Sequence, residues 1–163
     1  MCGGVGEWQY EYLAGITPTS PGYATVKVKP LVSKTLGPSS VAAAVTTVRG
    51  VVRSNWTRIK TLSAGGDLGG VAAGTRLLSL EVAVPDAVQT AEVHVPLLDF
   101  GPHQIRVRLG GEELACQDRD RPEAALLWPE MLGCWTDKGA DGDDVMVVSL
   151  SSWGVFEFTV EAR

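Results

Sequence analysis

Leu78–Pro85 (LSLEVAVP) and Ala91–Pro96 (AEVHVP) decide the fold. Leu78, Leu80, Val82 and Val84 alternate with Ser79, Glu81 and Ala83, and Ala91, Val93 and Val95 alternate with Glu92 and His94. A period of two puts the apolar set on one face of a strand and the polar set on the other. Each run closes on Val-Pro, which predicts two edges of one sheet paired with each other. The same period recurs elsewhere. Val26 and Val28 alternate with Lys27 and Lys29, while Ile105, Val107 and Leu109 alternate with Arg106 and Arg108 before a Gly110-Gly111 turn. Val145–Leu150 and Val155–Val160 close the chain, the latter with Phe156, Phe158 and Val160 on one face.

Val41–Val48 and Val51–Ile59 flank Arg49-Gly50, a hairpin signal, and the second run aims Trp56 at the core. Eight or nine short strands with glycine and proline turns predict an all-β, antiparallel β-sandwich, jelly-roll-like, with one short N-terminal helix. The helix belongs to Gly4–Tyr12 (GVGEWQYEY), and Leu13–Pro18 (LAGITP) reads as its exit, with Gly15 as the closing residue. Ser63–Gly74 holds five glycines in twelve residues but lacks the Lys-Ser/Thr ending of a phosphate loop. Gln117–Asp144 interrupts the strand rhythm and reads as an excursion over the surface.

The 163 residues suit one domain, and 45% apolar content suffices for a core. A net charge of −5 leaves no basic footprint, which argues against nucleic acid and anionic membrane as partners. No apolar run approaches a membrane span and no signal-peptide pattern opens the chain, so the expected compartment is the cytoplasm. Cys2, Cys116 and Cys134 are odd in number and widely spaced, which favours reduced thiols, a Cys116–Cys134 bridge being the alternative in an exported protein. Asn55-Trp56-Thr57 fits a glycosylation pattern but lies inside a predicted strand.

Together, GVGEWQYEYLAGITP, the following Pro-Gly-Tyr and the strand ending at Pro30 resemble a junction in bacterial-type α-L-rhamnosidases of glycoside hydrolase family 78. There the last helix of an (α/α)6 catalytic barrel runs into a C-terminal β-sandwich. Later landmarks keep the family's order: the Thr47–Trp56 hairpin, the Val-Pro strand ends at Pro85 and Pro96, and Trp153–Phe158 as the closing strand. The resemblance implies that residues 1–16 are the remnant of a barrel-terminal helix and 17–163 the sandwich. It also implies that both catalytic carboxyl groups belong to the barrel, so no catalytic residue and no enzyme activity are expected in this chain. Glu7 matches a barrel motif, in a structural or capping role. The implied function is a non-catalytic or vestigial accessory domain, meeting a protein partner or a second copy through the face a barrel would cover. Trp8, Tyr10 and Tyr12 would mark that docking face.

No cofactor and no metal site are expected. His94 and His103 sit at outward-reading positions without ligand-spaced neighbours, as solvent-exposed strand residues, and no nucleophile motif marks a triad. Asp137, Asp141, Asp143 and Asp144 offer hard oxygens, but not at Ca²⁺-loop spacing, and read as a solvated acidic turn. Trp128, Trp135 and Trp153 raise an alternative, a carbohydrate-binding module. An indole face packs on pyranose C–H groups while an acid such as Asp137 accepts hydroxyl protons. Against it stands a packing role, with Trp153 in the core and Trp128 and Trp135 pinning the 117–144 excursion to the sandwich.

Overall fold

The structure is a computed structural model that describes residues 9–33, 37–59, 71–98, 100, 104–114, 131–138, 144–151 and 153–163. Its strands are β1 (Ile16–Pro18), β2 (Thr25–Val28), β3 (Ser40–Thr47), β4 (Gly50–Arg58), β5 (Arg76–Val84), β6 (Thr90–Pro96), β7 (Ile105–Leu109), β8 (Glu112–Glu113), β9 (Met131–Lys138), β10 (Asp144–Leu150) and β11 (Gly154–Ala162). They form two sheets, ordered β1-β2-β6-β10-β9 and β3-β4-β5-β11-β7-β8. All the described pairings are antiparallel except β2 with β6. The core is what the period-two pattern places between the sheets. Val26, Val28, Val93, Val95, Val148 and Leu150 come from one sheet, and Val52, Trp56, Leu80, Val82, Phe158 and Val160 from the other. This is the expected all-β sandwich.

The β3–β4 hairpin turns where expected, pairing Thr47 with Gly50. Gly50 has φ of 115°, and a Cβ there would fall 2.7 Å from Pro85. Arg49 at its tip donates to the carbonyls of Gly22 (3.0 Å) and Ala87 (2.9 Å), tying the hairpin to two loops of the other strands.

Several expectations change. The Val-Pro strands β5 and β6 are not edges and do not pair: β5 lies between β4 and β11, and β6 between β2 and β10, in opposite sheets. Their prolines sit at strand ends, where a missing N–H costs the ladder little. Ile16–Pro18, read as a helix exit, is a strand on β2, too short for a period to register. Within the expected surface excursion lies β9, an edge strand. Its alternation is broken because the register shifts beside Leu132, so two residues of β9 oppose one of β10. Trp153, expected in the core, is 67% exposed. Calls on the 63–70 glycine-rich stretch, residues 117–130 and residues 139–143 lie outside the described residues.

Cys134 is buried on β9 and is disulfide-bonded, its partner lying outside the described residues, which overturns the expectation of reduced thiols. With three cysteines in the chain, one bridge leaves one thiol. Thiol titration of the unfolded, unreduced protein should therefore find one reactive group, and reduction should lower stability by about 2–4 kcal/mol in a denaturant melt. Three reactive thiols without reductant would contradict the bridge.

Candidate functional site

The N-terminal junction is a single wide helical turn, Gln9–Leu13, closed by the Ala14 amide on the Gln9 carbonyl at 3.1 Å. A chain leaving a helix exposes carbonyls that no further turn can satisfy. Here the sandwich satisfies four in succession. Leu31 N–H donates to Tyr12 (3.0 Å), Trp56 Nε1 to Leu13 (2.8 Å), Ser54 Oγ to Ala14 (2.8 Å) and Lys29 N–H to Gly15 (2.8 Å). Trp56 and Ser54 sit two residues apart on the core face of β4, both almost fully buried. Ser54 was missed by sequence reasoning, although a polar residue in the apolar phase Val52, Ser54, Trp56 was its signal.

Gly15 makes the close approach of chain to chain feasible. Its φ is 74°, and a Cβ would lie 2.0 Å from the Lys29 carbonyl carbon. Beyond this joint the turn shows its other side. Tyr10 and Tyr12 are 43% and 54% exposed, and exposed Leu31 adjoins Tyr12 through its backbone bond. Two of the three expected docking residues are thus presented on one turn; Trp8 lies outside the described residues, as does Glu7.

A second group lies on the face of the β1-β2-β6-β10-β9 sheet turned away from the core. Register places His94 beside Val147 and Val147 beside Trp135, with Glu92, Ser149 and Gly133 in the neighbouring row and Pro96, Val145 and Asp137 in the other. Lys27 pairs with Glu92 across β2 and β6. The Trp135 ring lies over Gly133, where an added Cβ would sit 3.5 Å from it. Trp135 is half-buried, and its Nε1 is sealed off without a hydrogen-bond partner. The structure thus brings Trp135 and Asp137 onto one face, two residues apart on β9. Trp128 lies outside the described residues.

His94 was expected to be exposed, but its side chain is only 13% accessible, with Nε2 2.5 Å from Glu92 Oε1 and Nδ1 buried without a partner. The outward phase places a side chain on a face without saying what else crowds it. His103, Asp141 and Asp143 are outside the described residues. Asp144 pairs with Lys138 at 2.7 Å, and the described residues hold no cluster of three metal-ligating side chains. Asn55 donates to Glu81 at 2.9 Å on the sheet surface.

Two predictions follow from these contacts. Ser54→Ala, which strands the buried Ala14 carbonyl, should cost about 1–3 kcal/mol in a urea melt. Gly15→Ala should cost more than Ser54→Ala, because backbone must move; equal stability to the parent would contradict the joint. For His94, burial holds the imidazole below its ordinary 6.5, with Lys27 and Lys29 adding to this and Glu92 opposing it. Protons then bind the unfolded chain more readily. The stability tied to His94 is therefore complete above pH 6.5 and declines as pH falls from there through the folded value. His94→Gln should flatten the slope of stability between about pH 7 and 5, and an unchanged slope would refute the assignment.

Comparison with known proteins adds an independent line. Residues 15–63 match the family model of the bacterial alpha-L-rhamnosidase C-terminal domain. An alpha-L-rhamnosidase of Formosa agariphila is 34% identical over 94 residues, covering 58% of this chain and 8% of the relative. The crystal structure of Streptomyces avermitilis alpha-L-rhamnosidase complexed with L-rhamnose shares the fold. Its TM-score is 0.50 at 23% identity, over 95% of this chain and 10% of that one. The chain therefore spans about a tenth of the length of either enzyme, and the matching family segment contains the joint at Gly15, Ser54 and Trp56.

Proposed function

We propose that this chain, whose sequence and fold are those of a rhamnosidase-type C-terminal domain, is a non-catalytic accessory domain that holds a helical protein surface at a fixed angle. The observation that carries the reading is the joint. A turn whose four exit carbonyls are all bonded to the sandwich transmits its orientation rigidly, and it carries Tyr10 and Tyr12 outward. The partner that fits is the helical catalytic portion of a rhamnosidase-type enzyme, whether joined to this segment or separate from it.

Inverting glycoside hydrolysis needs two carboxyl groups held apart across a sugar, one to protonate the leaving oxygen and one to activate water. Among the described acids, Glu92 pairs with His94, Glu113 with Arg163, Glu161 with Arg108 and Asp144 with Lys138. Such pairing suits a strand surface, where each acid is matched by a neighbouring base rather than set across a sugar from a second carboxyl group. No helix among the described residues is long and apolar enough to cross a membrane. The Cys134 disulfide favours an oxidising compartment over the cytoplasm expected from sequence.

Assay of this polypeptide on an aryl α-L-rhamnoside should give no turnover above the buffer rate. Turnover abolished by changing a carboxylate of this chain would contradict the reading. In a rhamnosidase carrying this domain, Tyr10→Ser with Tyr12→Ser should lower the temperature of catalytic inactivation, while an unchanged temperature would detach the tyrosines from the partner.

A further inference from the structure

Among the described residues the two sheets end in four edge strands, β1, β9, β3 and β8. An exposed edge offers unpaired N–H and C=O groups to any other strand, so edges are ordinarily kept short, charged, bulged or closed by proline. Three of the four are guarded in this way. β1 has three residues and ends on Pro18, β8 is Glu112 and Glu113 alone, and β9 carries the bulge beside Leu132 with Asp137 and Lys138 at its end. β3 has none of these devices. It is eight residues long, pairs with β4 in unbroken register, and lies in a stretch, 39–48, without charge, proline or glycine.

The direction of the free backbone groups follows from one bond. Arg58 N–H donates to the Ser39 carbonyl at 2.7 Å, one step beyond the Ser40–Thr57 pair. Antiparallel pairs alternate, so odd-numbered residues of β3 turn their N–H and C=O toward β4, while Ser40, Ala42, Ala44 and Thr46 turn theirs outward. Among the described residues no backbone bond from a turn or loop reaches these four. The N-terminal turn approaches the hairpin from the core face, through Ser54 and Trp56. Along the edge the sequence is a palindrome in kind: in Ser39-Ser40-Val41-Ala42-Ala43-Ala44-Val45-Thr46-Thr47, hydroxyl residues stand outermost, then valine, then alanine.

We propose that β3 is a homodimerisation edge, pairing antiparallel with β3 of a second copy about a two-fold axis at Ala43. That register sets Ala42 against Ala44 and Ser40 against Thr46, the residues whose backbone groups face outward, for about eight hydrogen bonds between the chains. It sets Ala43 against Ala43 and Val41 against Val45 in the closer pairs, where a small central residue fits and the valines gain cross-strand packing. An axis at Ala42 or Ala44 would oppose valine to alanine, serine or threonine and lose that packing. Val41, Ala43 and Val45 are half-buried against the core, so a second strand beside them extends the existing core. The palindrome is what a two-fold contact asks for, since each residue must suit its symmetry mate. An uncharged edge also keeps like charges from meeting when two chains of net charge −5 pair. With the other edges guarded, assembly closes at two chains. The tyrosine turn takes no part in this edge, so the dimer is independent of the accessory role.

The test is sedimentation of the full chain from about 10 μM to 1 mM. An edge pair of about seven residues lies at the low end of specific interfaces, so the expected result is a monomer–dimer equilibrium with a dissociation constant on the order of 100 μM. Ala44→Pro removes an outward N–H and no bond to β4, and should weaken the dimer about tenfold or more with the circular dichroism of the fold retained. Ala42→Lys with Ala44→Lys, both at exposed positions, sets lysine against lysine in the dimer and should weaken it likewise. Mixing that variant with Ala42→Glu, Ala44→Glu should restore a mixed dimer. A chain that stays monomeric at about 1 mM would overturn the proposal, as would a dimer that the proline and lysine variants leave intact. A dimer lost in Tyr10→Ser with Tyr12→Ser but kept by the lysine variant would assign self-association to the N-terminal turn and overturn it too. The accessory reading stands or falls separately, by the hydrolysis and inactivation measurements.

Discussion

The carbonyls of Tyr12, Leu13, Ala14 and Gly15 point into the sandwich, and the sandwich answers each with a donor. The bond from Ser54 to the Ala14 carbonyl is buried, and a buried carbonyl left unpaired costs about 1–3 kcal/mol, so that donor must be in place for the chain to take this path. That requirement constrains residues far apart in the chain. Gly15 must lack a Cβ for the Lys29 backbone to come close, and Ser54 and Trp56 must share the core phase of β4. Lys29–Leu31 must then run antiparallel to the exit strand. The pairing of β1 with β2 continues the same contact, so the sheet edge and the junction are one structure.

Away from this joint two surfaces differ in character. Tyr10, Tyr12 and Leu31 stand on the outward side of the turn, where burying them against a helical surface would remove apolar area from water. The far face of the five-stranded sheet is mixed instead, with Trp135, Asp137 and the Glu92–His94 pair around the buried Val145 and Val147. Stability costs are visible on that face. Two ring nitrogens, His94 Nδ1 and Trp135 Nε1, are buried without partners, and Cys134 on the core side of the same strand is covalently anchored. An edge strand with one such covalent tie and a bulge at Leu132 is a defended edge.

The sequence made the faces legible and left the neighbours hidden. In β5, β6 and β11 the period of two predicts which side chains meet the core, and Leu80, Val93 and Phe158 are all fully buried. Periodicity says nothing about which strand lies alongside, and so the two Val-Pro strands, alike in pattern, fall into different sheets. β9 escaped because its bulge breaks the alternation and Gly133 removes one member of it. Trp153 was misplaced for a related reason: aromatic size argues for burial, but a residue just before the first paired position of β11 is not held in the strand's phase. Residue type singles out Tyr10, Tyr12, Trp135 and Asp137 without fixing a role for them, whereas Glu92 with His94 and Ser54 with Ala14 needed the fold to bring them together.

The most direct measurement of the joint is hydrogen exchange at the Trp56 indole N–H and the Leu31 amide, compared with core amides of β6 and β11. If the turn is fixed to the sandwich, these donors exchange only through global unfolding, with protection equal to that of Val93 and Phe158. If the Trp56 indole exchanges far faster than the core while the core stays protected, the turn opens on its own and the rigid joint does not exist.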